Sequence, residues 1–270
     1  MPGNDTDASA AAFDRHAALR QQIREQQPTL GTFIRTPDAS IVEVLGTVGL
    51  DFVALDTEHG PFGTEALDRC VLAARAVHVP ALVRLPEASP SRILSVLDIG
   101  AAGIIVPHVH SAGQAIAAAA ATRYASGTRG FSASHRAAGY GVMPPVQFRK
   151  RSDDSMIVIG QVEDRPGLEN IDAIAAVAGL DAIFIGPADL AVSLGAETAD
   201  DPAVVTTIDR ICASCRRAGR TIGIFLHAAD EVDRYRSQDI SLFIIATDQL
   251  LLRAAARSMV DRFSAARVIP

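Results

Sequence analysis

The chain has 270 residues, 49% of them hydrophobic and 21% charged, with a formal net charge of −6. That length can bury a large core, as one barrel-sized domain or two smaller ones. The acidic balance and the lack of a basic patch argue against a nucleic-acid partner, and no apolar run approaches the length of a membrane span. The opening MPGNDTDASAAAF has neither a basic n-region nor an apolar h-region, so a cytoplasmic location is expected.

Residues 1–12 read as a disordered tail, and Phe13–Gln26 as a helix able to close the bottom of a barrel. The chain then repeats one unit, a short apolar strand, a turn and an amphipathic helix, so residues 13–270 read as a single domain. Strands are expected at Thr29–Ile34, Phe52–Asp56, Ala81–Leu85, Gly103–Val109, Ile157–Glu163, Ala182–Gly186, Thr221–Leu226 and Leu242–Ala246. Helices are expected at Ser40–Val48, Thr64–Val77, Ser89–Leu97, Ala112–Arg123, Leu168–Ala178, Ala203–Ala218, Glu231–Ser237 and Gln249–Phe263. Eight such units predict an α/β protein built as a (β/α)8 TIM barrel. An open doubly wound sheet alternates in the same way but usually has fewer strands. The segment Gly127–Ser155, rich in Gly, Ser, Arg and Pro, is long for a barrel connection and is expected over the site or at a subunit contact.

The stretch from Ile157 to Leu190 carries the most chemistry. In IVIGQVED, Ile157, Ile159, Gln161 and Glu163 share one face of an extended segment, so an apolar face ends in an amide and a carboxylate. AIFIGPADL is a continuous apolar run, as in strands buried on both faces, broken by Gly186-Pro187 just before Asp189. A right-handed crossover between them makes the strands parallel, and neighbouring strands lie roughly 4.8 Å apart. Glu163 and Asp189 then emerge at the same edge, two hard oxygen ligands suited to Mg²⁺ or Mn²⁺. The plainer account is that both carboxylates cap or solvate a strand end.

Chemistry in such a barrel belongs at the C-terminal ends of the strands. Polar residues gather there: Asp56-Thr57-Glu58-His59-Gly60, Arg84, Pro107-His108, Gln161-Val162-Glu163 and Asp189. A metal to polarise a carbonyl, a cation for a developing oxyanion and a base are what enolisation requires. Against this, His59 could cap a helix and Arg84 could be a structural partner of Glu58 or Glu163. The one lysine, Lys150, lies in the polar segment GVMPPVQFRKRSDD, so no strand carries an amine for imine chemistry. The turns HAAD and ATDQ lack glycine, so the phosphate cradle common after the last two strands of barrels is missing. Cys70, Cys212 and Cys215 cannot pair completely, and the Cys212-x-x-Cys215 pair lies inside an expected helix, where a structural role outweighs a redox or zinc one.

Taken together, VALDTEHGPF, PALVRLP, VLDIGAAGIIVPHV, ATRYASGTRGF, IGQVED and FIGPADLAVSLG resemble the HpcH/HpaI aldolase family, over Gly31 to about Phe263. The resemblance implies a class II pyruvate aldolase on a (β/α)8 barrel that uses a divalent metal ion (Mg²⁺, Mn²⁺ or Co²⁺). Such an enzyme reversibly cleaves a 4-hydroxy-2-oxo acid to pyruvate and an aldehyde through a metal-bound enolate. It also implies a homo-oligomer, trimer or hexamer, that exchanges its last helix. Carried over by motif, Glu163 and Asp189 match metal ligands, while Gln161 and the backbone of Ala188 match contacts to the pyruvyl group. His59 matches the general base, Arg84 the enolate stabiliser, and Asp98 the acid that raises the basicity of the histidine. Asp98 comes at the end of a helix, which in a barrel faces the bottom rim, so on spacing alone Asp56 is the nearer partner of His59. Departures from the family pattern are His108 in place of an apolar or amide residue, Ala246 in place of a glycine before Asp248, and the serines and His135 of FSASHRAAGYG. Three other functions fit parts of the pattern: oxaloacetate decarboxylation through the same enolate, a CoA-thioester lyase of the citrate-lyase kind, and a non-catalytic binding barrel.

Overall fold

The computed structural model describes residues 5–266. Its centre is a closed barrel of parallel strands paired in sequence order, the last returning to the first. They are β1 (Thr29–Ile34), β2 (Phe52–Asp56), β3 (Ala81–Arg84), β4 (Gly103–Val106), β5 (Ile157–Val162), β6 (Ala182–Ile185), β7 (Thr221–Leu226) and β8 (Leu242–Thr247). The first six helices are α1 (Asp5–Arg24), α2 (Ala39–Gly46), α3 (Thr64–Ala76), α4 (Pro90–Asp98), α5 (Ala112–Ala121) and α6 (Pro145–Ser155). The rest are α7 (Arg165–Glu169), α8 (Ile171–Ala175), α9 (Pro187–Leu194), α10 (Pro202–Arg217), α11 (Val232–Arg236) and α12 (Asp248–Ala266).

β2 to β6 are buried along their whole length, because helices cover one face and the barrel interior the other. Their sequences are correspondingly apolar runs and not alternations. Phe33, Phe52, Leu82, Ile105, Phe184 and Ile244 fill the interior, and Leu19 and Ile23 of α1 join the same cluster. Thr221 Oγ1 donates to the Ile23 carbonyl at 2.6 Å, and Arg20 Nε pairs with Asp181 Oδ1 at 2.9 Å. Since Asp181 and Thr221 stand at the starts of β6 and β7, α1 closes the N-terminal end of the barrel, opposite the rim where chemistry resides.

Three sequence expectations change. The helix α1 begins at Asp5 and takes in residues 5–12, where a disordered tail was expected. The alanine-rich ASAAA within it explains this, alanine being the strongest helix former. Residues 1–4 of that tail, and the last four of the expected domain, 267–270, lie outside the described residues. Second, the segment Gly127–Ser155 does not cover the rim. It follows α5, and a connection from a helix back to a strand returns to the N-terminal end. There it folds into a 3₁₀ turn, Arg136–Gly141, and α6, with Phe148 against Phe13 and Arg151 Nη1 bonded to Asp14 Oδ1 at 3.0 Å. Third, the helix expected at Leu168–Ala178 is two short ones, α7 and α8, separated at Asn170. A bulge also interrupts the β1–β8 pairing between Gly31 and Phe33, and opposite it Ala246 takes φ +59°.

Candidate active site and metal centre

β2 ends at Asp56, and the turn that follows, closed by the Gly60 N–H on the Asp56 carbonyl at 3.0 Å, carries Glu58 and His59 at the rim. Asp56 is fully buried and holds two guanidinium groups. Arg84 Nε and Nη2 donate to its two oxygens at 2.9 and 2.7 Å, and Arg35 Nε donates to Oδ2 at 2.8 Å. Arg35 reaches it because β1 and β2 pair Ile34 with Leu55. Burial alone would raise the Asp56 carboxyl, but Arg84 and Arg35 outweigh it and hold the group below the usual carboxylate range. Its Oδ1 also accepts the backbone N–H groups of Glu58 and His59, at 3.3 and 3.2 Å. Asp56 thus fixes both the arginine and the turn that carries His59. The Arg84 guanidinium lies 4.3 Å over the Phe33 ring, which leaves it little rotational freedom.

His59 is exposed, with Nε2 3.9 Å from Glu58 Oε2. Burial raises the Glu58 carboxyl despite the cations Arg84, His59 and His108 around it. Glu163 is buried at the end of β5, where Oε1 accepts the His108 N–H at 3.0 Å and Oε2 accepts from Gln161 Nε2. Its carboxyl is pushed up to about 7, chiefly by burial and further by the charges of Asp189 and Glu58, against the opposing pull of His108. Gly186 makes room for this arrangement: a Cβ there would stand 2.8 Å from Glu163 Oε2.

His59, Arg84, Gln161, Ala188 and Asp189 line one cavity of about 260 Å³, together with Arg35 and His227. Glu163 adjoins it through Gln161. The donors present suit a divalent metal ion. The charge of Asp189 raises the cost of ionising Glu163, and the buried oxygen Gln161 Oε1 has no hydrogen-bond partner among the described residues, while Glu58 Oε2 is paired with Arg84 Nε at 3.3 Å. Hard oxygens left without protons to accept are what Mg²⁺ or Mn²⁺ coordinates.

Asp98 lies elsewhere. It ends α4, where Oδ1 accepts from Arg129 Nη2 at 2.8 Å and lies 3.4 Å from His135 Nε2. A barrel helix runs back toward the N-terminal ends of the strands, so within one chain its last residue cannot meet His59. The carboxylate behind His59 is Asp56, and it holds the backbone N–H, not the ring. Sequence reasoning left Glu58, Arg35, Asp164 and His110 without roles. Glu58 stands in the turn after Asp56, where it pairs with Arg84, and the strand pairing that marks Arg35 becomes legible only in three dimensions. His108, noted as a departure, meets three carboxylates: its ring nitrogens lie 3.1 Å from Asp164, 3.4 Å from Glu163 and 3.6 Å from Glu58. Burial would lower its imidazole, yet those acids raise it overall.

The profile of the HpcH/HpaI aldolase/citrate lyase family matches residues 29–255. The 5-keto-4-deoxy-D-glucarate aldolase of Klebsiella pneumoniae subsp. pneumoniae is 34% identical over 247 residues, 91% of this chain and 96% of that protein. A HpcH/HpaI aldolase/citrate lyase family protein from Burkholderia cenocepacia J2315 superposes with a TM-score of 0.87 at 30% identity, covering 92% of this chain and 99% of the other. The citrate synthase SbnG superposes with a TM-score of 0.81 at 28% identity, over 92% and 98% of the two chains.

Proposed function

The chain belongs to the HpcH/HpaI aldolase/citrate lyase family, and on that premise we propose that it reversibly cleaves a 4-hydroxy-2-oxo acid to pyruvate and an aldehyde. It is a carbon–carbon lyase of the class II, metal-dependent kind. The observation that carries the assignment is that His59, Arg84, Gln161, Ala188 and Asp189, from four different strand ends, line one cavity.

Glu163 and Asp189 are the metal ligands of this reading. When bound there, a divalent ion supplies Lewis acidity at the 2-oxo carbonyl. The carboxylate of the 2-oxo acid takes the Gln161 amide and the Ala188 N–H, one of the first-turn donors of α9 that no helical carbonyl satisfies. His59 accepts the proton of the C4 hydroxyl as the C3–C4 bond breaks and the aldehyde leaves. The electron pair of that bond passes to the enolate, whose O2 gains charge opposite Arg84. Already fixed by Asp56 and the Phe33 face, this guanidinium reorganises little as the charge develops. Protonation at C3 gives pyruvate. The same enolate forms when oxaloacetate loses carbon dioxide, so that decarboxylation is the side activity to expect.

No helix among the described residues is long and apolar enough to cross a membrane. We place the enzyme in the cytoplasm, as a trimer or hexamer using Mg²⁺, Mn²⁺ or Co²⁺. The decisive experiment is a pyruvate-release screen over 4-hydroxy-2-oxo acids with chelator and metal add-back. Activity should vanish in EDTA and return with one of these ions, because two carboxylates alone hold such an ion reversibly. Full activity after exhaustive chelation would exclude the class II assignment.

A further inference from the structure

Beside the catalytic opening stands a second group of ligand-type side chains for which the aldolase reaction has no use. The segment after β4 reads His108-Val109-His110, and the left-handed backbone at His108 (φ +48°) brings the two rings to one side. His108 Nδ1 and His110 Nε2 converge on one oxygen, Asp164 Oδ2, at 3.1 and 2.7 Å. All three ligand atoms lie within 4.8 Å of one another. We propose that His108, His110 and Asp164 form a second divalent metal site, selective for a borderline transition ion such as Zn²⁺ or Co²⁺ over Mg²⁺.

The donor set decides the ion. Two imidazoles and one carboxylate with open positions suit first-row transition metals, whereas Mg²⁺ prefers oxygen alone. The geometry needs little adjustment. Adjacent ligands at roughly 2.1 Å from an ion stand about 3.0 to 3.4 Å apart, so nitrogen-to-oxygen distances of 3.1 and 2.7 Å need to open by only a few tenths of an ångström.

The supporting contacts are those of a prepared site. Asp164 Oδ1 accepts the Gly167 N–H at 3.0 Å, which leaves Oδ2 for the imidazoles. His110 is held at both ends of its peptide: its N–H donates to Gln114 Oε1 and its carbonyl accepts from Asn170 Nδ2, both at 2.9 Å. The His108 N–H is bonded to Glu163 Oε1 at 3.0 Å, and the other ring nitrogen, Nε2, faces Glu58 Oε1 at 3.6 Å. A metal-ligating histidine commonly turns its second nitrogen to a carboxylate in this way. His108 also holds φ +48°, a left-handed conformation that a non-glycine residue keeps only where its surroundings enforce it. Both imidazoles are about half exposed, so an ion has access.

The test is Co²⁺ titration of the metal-free full chain, followed by absorption spectroscopy and metal analysis after gel filtration, on wild type, His110→Gln and Asp164→Asn. Wild type should bind two equivalents, one with the visible bands of a nitrogen-ligated ion. Each variant should bind one equivalent and lose those bands, while Mg²⁺-supported exchange of the pyruvate methyl protons persists in His110→Gln. Equal Co²⁺ uptake and spectra in wild type and both variants would overturn the site and leave the three side chains as a hydrogen-bonded cluster. A wild type binding one equivalent that disappears in His110→Gln would support this site while denying the one at Glu163 and Asp189.

Discussion

Asp56 is the residue on which the proposed chemistry turns, because it holds Arg84 by two hydrogen bonds and the His59 turn by two more. Arg84 and His59 have separable tasks, which two reactions can distinguish. His59→Ala should lower aldol cleavage by about 10²-fold or more yet spare much of the oxaloacetate decarboxylation, where no hydroxyl proton is removed. Arg84→Ala should lower both by about 10²- to 10³-fold, and Arg84→Lys should rescue poorly, since an ammonium cannot replace the forked donors that grip Asp56. Parallel assays of the three variants, with metal content checked, decide it. Equal loss of both reactions in His59→Ala would assign the histidine to the enolate instead. At this scale the motifs D-T-E-H, Q-V-E and G-P-A-D made most of the cavity legible in sequence. Within one chain Asp98 lies outside the cavity, because a motif fixes position along the chain and says nothing of which end of a barrel a helix finishes at.

Among the elements, α1 carries a pH-dependent contribution to stability. It carries His16, fully buried with Nδ1 lacking a hydrogen-bond partner among the described residues. Burial, with help from Arg15 and Arg75, drives its imidazole down to about 3. The folded chain therefore keeps His16 neutral. Its contribution is intact above the unfolded value near 6.5 and drains away as pH falls toward 3. At pH 5 the loss amounts to roughly 2 kcal/mol. Denaturant melts at pH 7 and pH 5 should show the gap between the two pH values shrinking by about that amount in His16→Gln. An unchanged gap would mean that His16 is protonated in the folded chain. The helix α6 was the element least legible in sequence, whereas α1 was legible from Phe13 onward as the helix that closes the barrel. The α6 pattern is set by packing on α1, through Phe148 and Phe13, and the surface of a helix that packs beside a barrel lacks the regular stripe of one that packs on it.

Across the whole molecule, α12 stands out. It is exposed from Leu251 onward, with Leu252, Met259 and Val260 between 51% and 69% accessible. A row of large apolar side chains on one helix calls for a partner surface. We infer that it docks on a second copy, as the family resemblance implies. The role that the resemblance implies for Asp98 would then have to be played across subunits, since within one chain α4 ends at the opposite end of the barrel. Leu252→Glu with Met259→Glu should give monomers by light scattering, and their turnover should fall to that of Asp98→Asn in the intact assembly. Monomers as active as wild type would confine Asp98 to its ion pair with Arg129. The barrel itself was fully legible, since each strand of a closed parallel sheet leaves its own apolar run.

The bulge in β8 has a bearing on how this protein tolerates change. Ala246 occupies a left-handed conformation, and its carbonyl and that of Ile245 are fixed by Thr32 Oγ1 at 3.3 and 2.8 Å. A methyl group in that conformation costs about 1 kcal/mol relative to glycine. Ala246→Gly should therefore raise the melting temperature by roughly 2–4 °C, measured by calorimetry. A variant background with that margin would absorb substitutions at the rim that the present chain, holding the strain, would lose to unfolding.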